Sequence, residues 1–154
     1  MELRVLGAHN AESKTTRLES HLIDKVLVLD AGGLTRSLTF EEQAGIRAVI
    51  LSHRHFDHVR DLLPLGVGLL ASGKTIDVYA IEDTVKFVSE NLMDGSLYPD
   101  FRIFPSPETP VFRFHTIEFY KEFQVLGYNV MAVPVYHAVP AAGFQITSGN
   151  TTLF

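Results

Sequence analysis

Apolar and polar positions along the first third of the chain alternate in short extended runs. Glu2–Leu6 predicts a first strand, and His21–Asp30 predicts two more strands joined by a turn at Asp24-Lys25. Val26–Leu29 is apolar at every position, which is typical of a strand covered on both faces. This part of the chain therefore predicts a sheet that contains at least one buried strand.

Helical spacing first appears after this sheet. Thr39–Glu42 has the spacing of a capping box, which predicts the start of a short helix. Arg47–Leu51 is another apolar run and predicts a buried strand. Apolar residues then recur at helical spacing as far as Leu70. Proline is tolerated only in the first turn of a helix, so Pro64 predicts that this helix begins within Asp57–Asp61.

The second half of the chain is richer in predicted strands. Ile76–Ala80 predicts a strand, Glu82–Met93 predicts a helix, and residues 94–110 hold four of the seven prolines and predict an irregular segment. Extended patterns follow at residues 112–114, 119, 123–125, 128–136, 143–146 and 151–154. We find no internal repeat or linker. The sequence therefore predicts one domain over residues 1–154, with alternating strands and helices followed by a strand-rich part.

Four residues with metal-binding side chains lie within six positions, directly after the predicted strand 47–51. In an extended segment, His53 and His55 point the same way, while Asp57 and His58 lie where the chain turns into a helix. Nitrogen and carboxylate ligands without sulfur suit Zn, Mn or Fe. The alternative is a histidine-rich surface loop in which Asp57 only caps the helix. The density of the cluster favours a metal site.

The pattern His-x-His-x-Asp-His at this position resembles the signature of the metallo-β-lactamase superfamily. Leu22–Asp24 and Leu27–Gly32 look like the paired early strands of that fold, and His137 stands where the superfamily supplies its next metal-binding histidine. Leu3–Gly7 and Val133–Pro140 look most like class II cyclic-nucleotide phosphodiesterases and their uncharacterised bacterial relatives. The resemblance implies an α/β fold, the αββα sandwich of this superfamily, with its first half and part of its second in this chain.

The resemblance also implies a set of metal ligands. Two divalent ions are expected, with Zn favoured and Mn or Fe as alternatives. The first ion would be held by His53, His55 and His137. The second would be held by Asp57 and His58, together with an aspartate and a histidine from further along a chain of this type.

The expected chemistry follows from the two ions. A metal-bound hydroxide between them would be the nucleophile, and the catalytic residue Asp57 would orient it. Asp30 resembles an acidic residue that lies behind the ligands and fixes a histidine tautomer. Alternatively, Asp30 caps the turn at Gly32-Gly33 at the end of its strand. Among the other histidines, His9 is a possible substrate contact, while His21 and His115 are expected to be structural or surface residues.

Composition narrows the function. The net charge of −5 argues against extended nucleic acid as a partner, because such binding needs a broad basic surface. The absence of cysteine and of a long apolar run predicts a cytoplasmic protein without a membrane segment. A metal-dependent phosphodiesterase for a small-molecule substrate, cyclic nucleotides first, is the favoured function. Other branches of the superfamily remain open, namely RNA 3′-end processing and hydrolysis of a thioester, lactone or β-lactam.

The ligand set implied for the second ion is incomplete in this sequence. No aspartate follows Asp100 and no histidine follows His137. We therefore expect the chain to be the N-terminal part of a hydrolase, truncated at its C-terminus and catalytically silent alone. The alternative is a non-catalytic fold unit that binds one metal ion or none. Open strand edges and exposed apolar surface would then favour a homo-oligomer.

Overall fold

The strands form two sheets in the computed structural model, which describes all residues from Met1 to Phe154. The first sheet contains the first six strands in chain order, and the second contains the last four strands in reverse chain order. The ten strands are β1 (Leu3–Gly7), β2 (Ser20–Ile23), β3 (Leu27–Leu29), β4 (Ala48–Ile50), β5 (Ile76–Ile81), β6 (Phe112–Ile117), β7 (Glu122–Val125), β8 (Tyr128–Val135), β9 (Ala141–Ser148) and β10 (Thr151–Leu153).

The helices are short and fall within the first 91 residues. They are α1 (Leu34–Ser37), α2 (Phe40–Gly45), α3 (Phe56–Val59), α4 (Leu62–Leu69) and α5 (Glu82–Asn91), with a short 3₁₀ helix at Leu70–Ser72. The predicted capping box is present: the Thr39 hydroxyl accepts from the Glu42 amide, and the Glu42 carboxylate accepts from the Thr39 amide. No helix has both the length and the apolar character needed to cross a membrane.

Strand direction within the first sheet changes at β3. Strand β2 is antiparallel to both of its neighbours, β1 and β3, whereas β3, β4, β5 and β6 run parallel. Helices connect β3 to β4, β4 to β5 and β5 towards β6, as parallel strands require. The parallel strands therefore all end at one edge of the sheet, and the loops that follow β3 and β4 are neighbours there.

The second sheet is antiparallel throughout and packs on the first. Along β8, Tyr128, Val130 and Ala132 are buried, while the residues between them are more exposed. Val130 belongs to a buried cluster with Ile50 of the first sheet. A hydrogen bond from the Tyr128 hydroxyl to the Asp24 carboxylate also joins the two sheets.

The core lies on both faces of the first sheet. A cluster of 22 buried residues fills the space between that sheet and the helices. Two smaller clusters, of eight and four residues, fill the space between the two sheets. The layers are thus helix, sheet and sheet, as predicted for an α/β sandwich of which this chain holds the first half and part of the second.

The single helix predicted after the histidine cluster is wrong, because the structure has two helices. The helical conformation is interrupted between α3 and α4, because Asp61 has a non-helical ψ near 0°. The Asp61 amide donates to the Ala31 carbonyl, and its carboxylate accepts from the Thr35 amide and hydroxyl. Pro64 then stands in the first turn of α4, where its missing amide costs no helical bond. Tertiary hydrogen bonds therefore decide the break.

The irregular segment at residues 94–110 is confirmed, and it is anchored by an aromatic side chain. Phe101 is fully buried, and its ring meets that of Phe112 edge-on at 6.0 Å between centroids. Gly66 of α4 lies directly against the Phe101 ring, which leaves no room for a side chain at residue 66. The prolines exclude regular structure here, while Phe101 fixes the segment to the core.

Four strands lie at the edges of the two sheets: β1, β6, β7 and β10. Each pairs with a single neighbour and leaves its other side without a strand. Open edges are able to pair with another chain. The homo-oligomer expected from the sequence stays a prediction.

We expect Gly66→Ala to lower the free energy of unfolding by about 1–3 kcal/mol, a typical cost of overpacking. The added Cβ would lie 2.6 Å from two ring atoms of Phe101. Gly45→Ala is the control, because its Cβ would meet only the Lys25 carbonyl, at 3.6 Å. Urea unfolding followed by circular dichroism checks both variants, and equal midpoints would contradict the close packing at Gly66.

Candidate metal centre

The predicted ligand loop directly follows the buried strand β4. Ser52 to His55 have no regular structure, and His55 immediately precedes α3. The chain is extended here, with φ −64° and ψ 148° at His55, so His53 and His55 point towards a common position. The end of a buried strand thus carries the histidine cluster, as the sequence predicts.

His137 reaches the same place from the second sheet. It lies two residues beyond the end of β8 and is exposed. The neighbouring strand β9 is tied to the ligand loop, because the Ala142 amide donates to the Ser52 carbonyl at 3.0 Å. The ring centroids of His53 and His137 are 4.5 Å apart. The sandwich therefore brings together two histidines separated by 84 positions in the sequence.

The three imidazoles converge on one point. Nδ1 of His55 lies 3.1 Å from Nε2 of His53 and 3.1 Å from Nε2 of His137. An imidazole nitrogen carries either one hydrogen or one lone pair, so His55 Nδ1 cannot make two good hydrogen bonds. Zn–N bonds of about 2.0–2.1 Å in a tetrahedral site place neighbouring nitrogens about 3.3 Å apart. The geometry of the histidine triad therefore fits a shared divalent cation.

Asp57 and His58 form a second, smaller group of ligand atoms. The Asp57 carboxylate lies 3.3 Å from Nε2 of His58, and both side chains are largely buried. The only group of three or more metal-capable side chains that converges on a point is the histidine triad. The structure thus presents one three-ligand set and one adjacent two-ligand set.

The Asp30 carboxylate lies behind both sets. One of its oxygens, Oδ2, is 2.7 Å from Nδ1 of His58 and accepts from the Ser52 hydroxyl at 2.7 Å. The other oxygen accepts from the Ser52 amide, also at 2.7 Å. Nδ1 of His53 lies 2.9 Å from the same hydroxyl oxygen. Because the hydroxyl gives its hydrogen to Asp30, it accepts from His53, and Nε2 of His53 is left as the free ligand atom.

Burial and charge set the protonation of the two inner histidines. Burial lowers the pKa of His53 to about 4, assisted by repulsion from His58, so His53 is neutral at neutral pH. Burial opposes a charge on His58 too, but its hydrogen bond to Asp30 and the nearby carboxylates outweigh burial and raise its pKa. A histidine must be neutral to bind a metal ion. His53 meets this condition at neutral pH, whereas the raised pKa of His58 means that metal binding there competes with a proton.

Gly32 allows the loop after β3 to lie against α3, the helix that carries Asp57 and His58. A Cβ at this position would be 1.7 Å from the Asp57 carbonyl oxygen. The neighbouring Ala31 amide donates to the His58 carbonyl at 2.7 Å. Asp30 itself has a positive φ of 56°, which aspartate tolerates better than most residues. The close approach of this loop to α3 fixes the distance between Asp30 and the ligands.

The remaining histidines lie outside the histidine triad. The His9 side chain is exposed and makes no hydrogen bond to the cluster, although its amide donates to the Arg17 carbonyl. His21 pairs with the Glu19 carboxylate, and His115 pairs with Asp77 at 2.7 Å. The structure therefore does not bring His9 to the cluster, and substrate contact by His9 stays a prediction.

Ser52 is a residue of this site that the sequence reasoning missed. Its amide and hydroxyl make four contacts of 2.7–3.2 Å, to Asp30, His53 and His58. Its position directly before His53 is the only signal in the sequence. A serine at a strand end has many ordinary explanations, so its role becomes visible only with Asp30 in place.

The comparisons with known proteins agree with this geometry. Residues 22–154 match the family described as the beta-lactamase superfamily domain. The ribonuclease Z of Thermosynechococcus vestitus is 23% identical in an alignment of 161 positions, gaps included, that covers 97% of this chain and 37% of that protein. The chain thus spans little more than a third of the length of this relative.

Solved structures show the same fold at low sequence identity. The metallo-β-lactamase fold protein YhfI from Bacillus subtilis has a TM-score of 0.76 at 18% identity, covering 97% of this chain and 59% of that one. Unliganded yeast PDE1 has a TM-score of 0.75 at 12% identity, covering 94% and 60%. The family match extends over most of the sequence, and the chain therefore belongs to the beta-lactamase superfamily domain family and has the metallo-β-lactamase fold.

Proposed function

We propose that this chain carries the metal-binding part of a metal-dependent hydrolase that acts on small phosphodiesters. The observation that carries the proposal is the convergence of the three imidazole nitrogens of His53, His55 and His137. Nitrogen ligands beside a carboxylate suit Zn best, with Mn or Fe as alternatives.

Different residues of the chain have different roles in the proposed reaction. A divalent cation supplies Lewis acidity towards an ester oxygen and lowers the pKa of water near neutrality. The histidine triad would hold that cation, and the Asp57 carboxylate, adjacent to His58, would orient the attacking water and accept its proton. Asp30 and Ser52 keep His53 and His58 in the tautomers that present Nε2.

A phosphodiester is the favoured substrate, and cyclic nucleotides are favoured within that class. The likeness of the fold to yeast PDE1 supports the choice, and the net charge of −5 argues against long nucleic acids. RNA ends are the second candidate, because the match to ribonuclease Z extends over 97% of the chain. A cytoplasmic location and a homo-oligomer stay predictions.

The number of ions held by these residues separates the hydrolase from a non-catalytic metal-binding unit. The triad supplies three ligands, whereas the described residues bring only Asp57 and His58 to the second position. We propose that the 154-residue chain binds one ion tightly and a second ion weakly. A turnover-competent form needs two further ligands for the second ion.

We expect His55→Ala to weaken Zn binding by more than about 100-fold. Loss of a residue that only hydrogen-bonds a metal ligand already lowers metal affinity by about 10–100-fold, and His55 is itself a ligand in this proposal. Its Nδ1 is the atom that both other triad nitrogens approach. His21→Ala is the matched control, since His21 pairs only with Glu19. Isothermal titration and metal content per chain measure the effect. Equal affinities of the two variants would show that the triad is not the metal site.

We expect Ser52→Ala to weaken Zn binding by about 10–100-fold while leaving the triad in place. The hydroxyl fixes His53 and links it to Asp30. Ser72→Ala is the control, because that hydroxyl donates to the Leu69 carbonyl at the end of α4. Zn titration at several pH values is the readout. If Ser52→Ala bound Zn as tightly as the native chain, Ser52 would have no role in holding the metal ligands.

A substrate panel tests the reaction class. It contains bis-p-nitrophenyl phosphate, cyclic nucleotides, a short RNA, a lactone and a thioester, each tested with Zn and with Mn. We expect phosphodiester hydrolysis in a longer natural form that supplies two further ligands, and background rates in the 154-residue chain. Faster hydrolysis of the lactone or thioester would overturn the phosphodiester assignment. Silence of both forms with metal bound would favour the non-catalytic unit.

A further inference from the structure

A cavity of about 470 Å³ opens beside the histidine triad. Its walls come from residues 54–59, from the C-terminal part of α5 with the residue after it, and from the loop after His137. His55 forms part of the wall, so the cavity directly adjoins one of the three triad residues, and the wall residue Val139 lies two residues beyond His137. The apolar side chains that line it are Phe56, Val59, Phe87, Leu92 and Val139.

The charge in this cavity is balanced. The Arg54 guanidinium lies over the Phe87 ring, 5.1 Å from its centroid, and its Nε is 3.3 Å from an Asp83 carboxylate oxygen. A guanidinium that already has a carboxylate partner has less attraction left for a second anionic group. The cavity therefore favours a neutral occupant with an aromatic or aliphatic surface.

The cavity wall also offers one polar side chain, Asn91, and one exposed aromatic ring, Phe56. The Asn91 side-chain amide nitrogen donates to the Phe87 carbonyl at 2.9 Å, so the amide oxygen is the part of this wall residue left to accept a hydrogen bond. Phe56 is 64% exposed, so its ring offers an uncovered surface to a ligand. Aromatic walls with one guanidinium and one acceptor suit a flat ring that stacks and donates a single hydrogen bond.

We propose that this cavity is the subsite for a neutral planar ring on the ester that the histidine triad positions for hydrolysis. The assignment as a substrate subsite rests on the proposed function, whereas ring binding in the cavity does not. A volume of about 470 Å³ lies within the range of small-molecule sites and exceeds the needs of one ring. The ring belongs either to a nucleobase or to a non-nucleotide aryl ester.

A second cavity of similar volume does not compete for this role. It lies between α2 and α4, lined by Phe40, Val67 and Tyr98 among others, and contains none of the triad residues. A ring bound there would have no connection to the metal ligands. It serves instead as an internal reference for non-specific apolar binding.

The first experiment uses the metal-free chain and phenol, a ring without a phosphoryl group. Titration followed by ¹H–¹⁵N NMR is expected to shift the amides of Phe87, Leu92 and Val139. Asn91→Trp places a large side chain in the cavity from an exposed helix position, and we expect it to weaken phenol binding about tenfold. Glu90→Trp is the matched control, because Glu90 is the exposed neighbour of Asn91 and does not line the cavity.

A second variant keeps the test independent of the tryptophan. Phe87→Ala removes the ring beneath Arg54 and is also expected to weaken phenol binding, with dispersed amide signals showing that the fold is retained. Equal binding by the native chain and Asn91→Trp would overturn the proposal. Shifts as large at Phe40 and Tyr98 as at Phe87 would also overturn it, since they would show non-specific binding.

The second experiment links the ring to the metal position. With Zn bound, we expect phenylphosphonate to bind about tenfold more tightly than methylphosphonate, and Asn91→Trp to remove the difference. A nucleoside 5′-phosphate that binds as tightly as phenylphosphonate assigns the ring to a nucleobase, and a weaker one assigns it to an aryl ester. Equal affinities for the two phosphonates would overturn the subsite, even if hydrolysis were observed. Phenol binding together with the absence of hydrolysis by a metal-loaded form that has the two further ligands would contradict only the proposed function.

Discussion

The site depends on one buried carboxylate that joins the ends of two parallel strands. Asp30 follows β3 and Ser52 follows β4, and the parallel register places them side by side. The Asp30 oxygens accept from the amide and hydroxyl of Ser52 and contact Nδ1 of His58. A buried carboxylate is stable only when its oxygens are satisfied. This requirement fixes the ligand loop in one conformation.

Packing of the second sheet then completes the site. The hydrogen bond from Ala142 to the Ser52 carbonyl ties β9 to the ligand loop, and the neighbouring strand β8 delivers His137. The buried contacts between the sheets, such as Val130 near Ile50, hold this arrangement. The position of His137 is thus a consequence of the sandwich as a whole. Apolar burial between the sheets is the driving force for a metal centre that is itself polar.

The electrostatics of the centre differ between its two sides. His53 is neutral because it is buried among other imidazoles, whereas His58 is held near two carboxylates that favour its charged form. His53 therefore presents a neutral nitrogen to a metal ion, whereas His58 would have to release a proton on binding one. The cavity lies beside the histidine triad, where its largely apolar walls border His55. The proposed metal site and the proposed ring subsite are consequently next to each other.

Local patterns in the sequence determined the strands, the helices α2 and α5, and the ligand cluster. The apolar run 47–51, the capping box at Thr39 and the His53–His58 motif depend on neighbours within a few positions, which the sequence displays directly. The position of His137 could be expected only from a family resemblance, since 82 residues separate it from His55.

Only the tertiary structure decided the roles of Ser52 and Asp61 and the break between α3 and α4. Each of these depends on a partner from a distant segment: Asp30 for Ser52, and Ala31 and Thr35 for Asp61. The cavity beside His55 likewise needs walls from three separate segments. Hydrogen bonds and surfaces shared between distant residues leave no periodic trace in the chain, so the sequence alone does not reveal them.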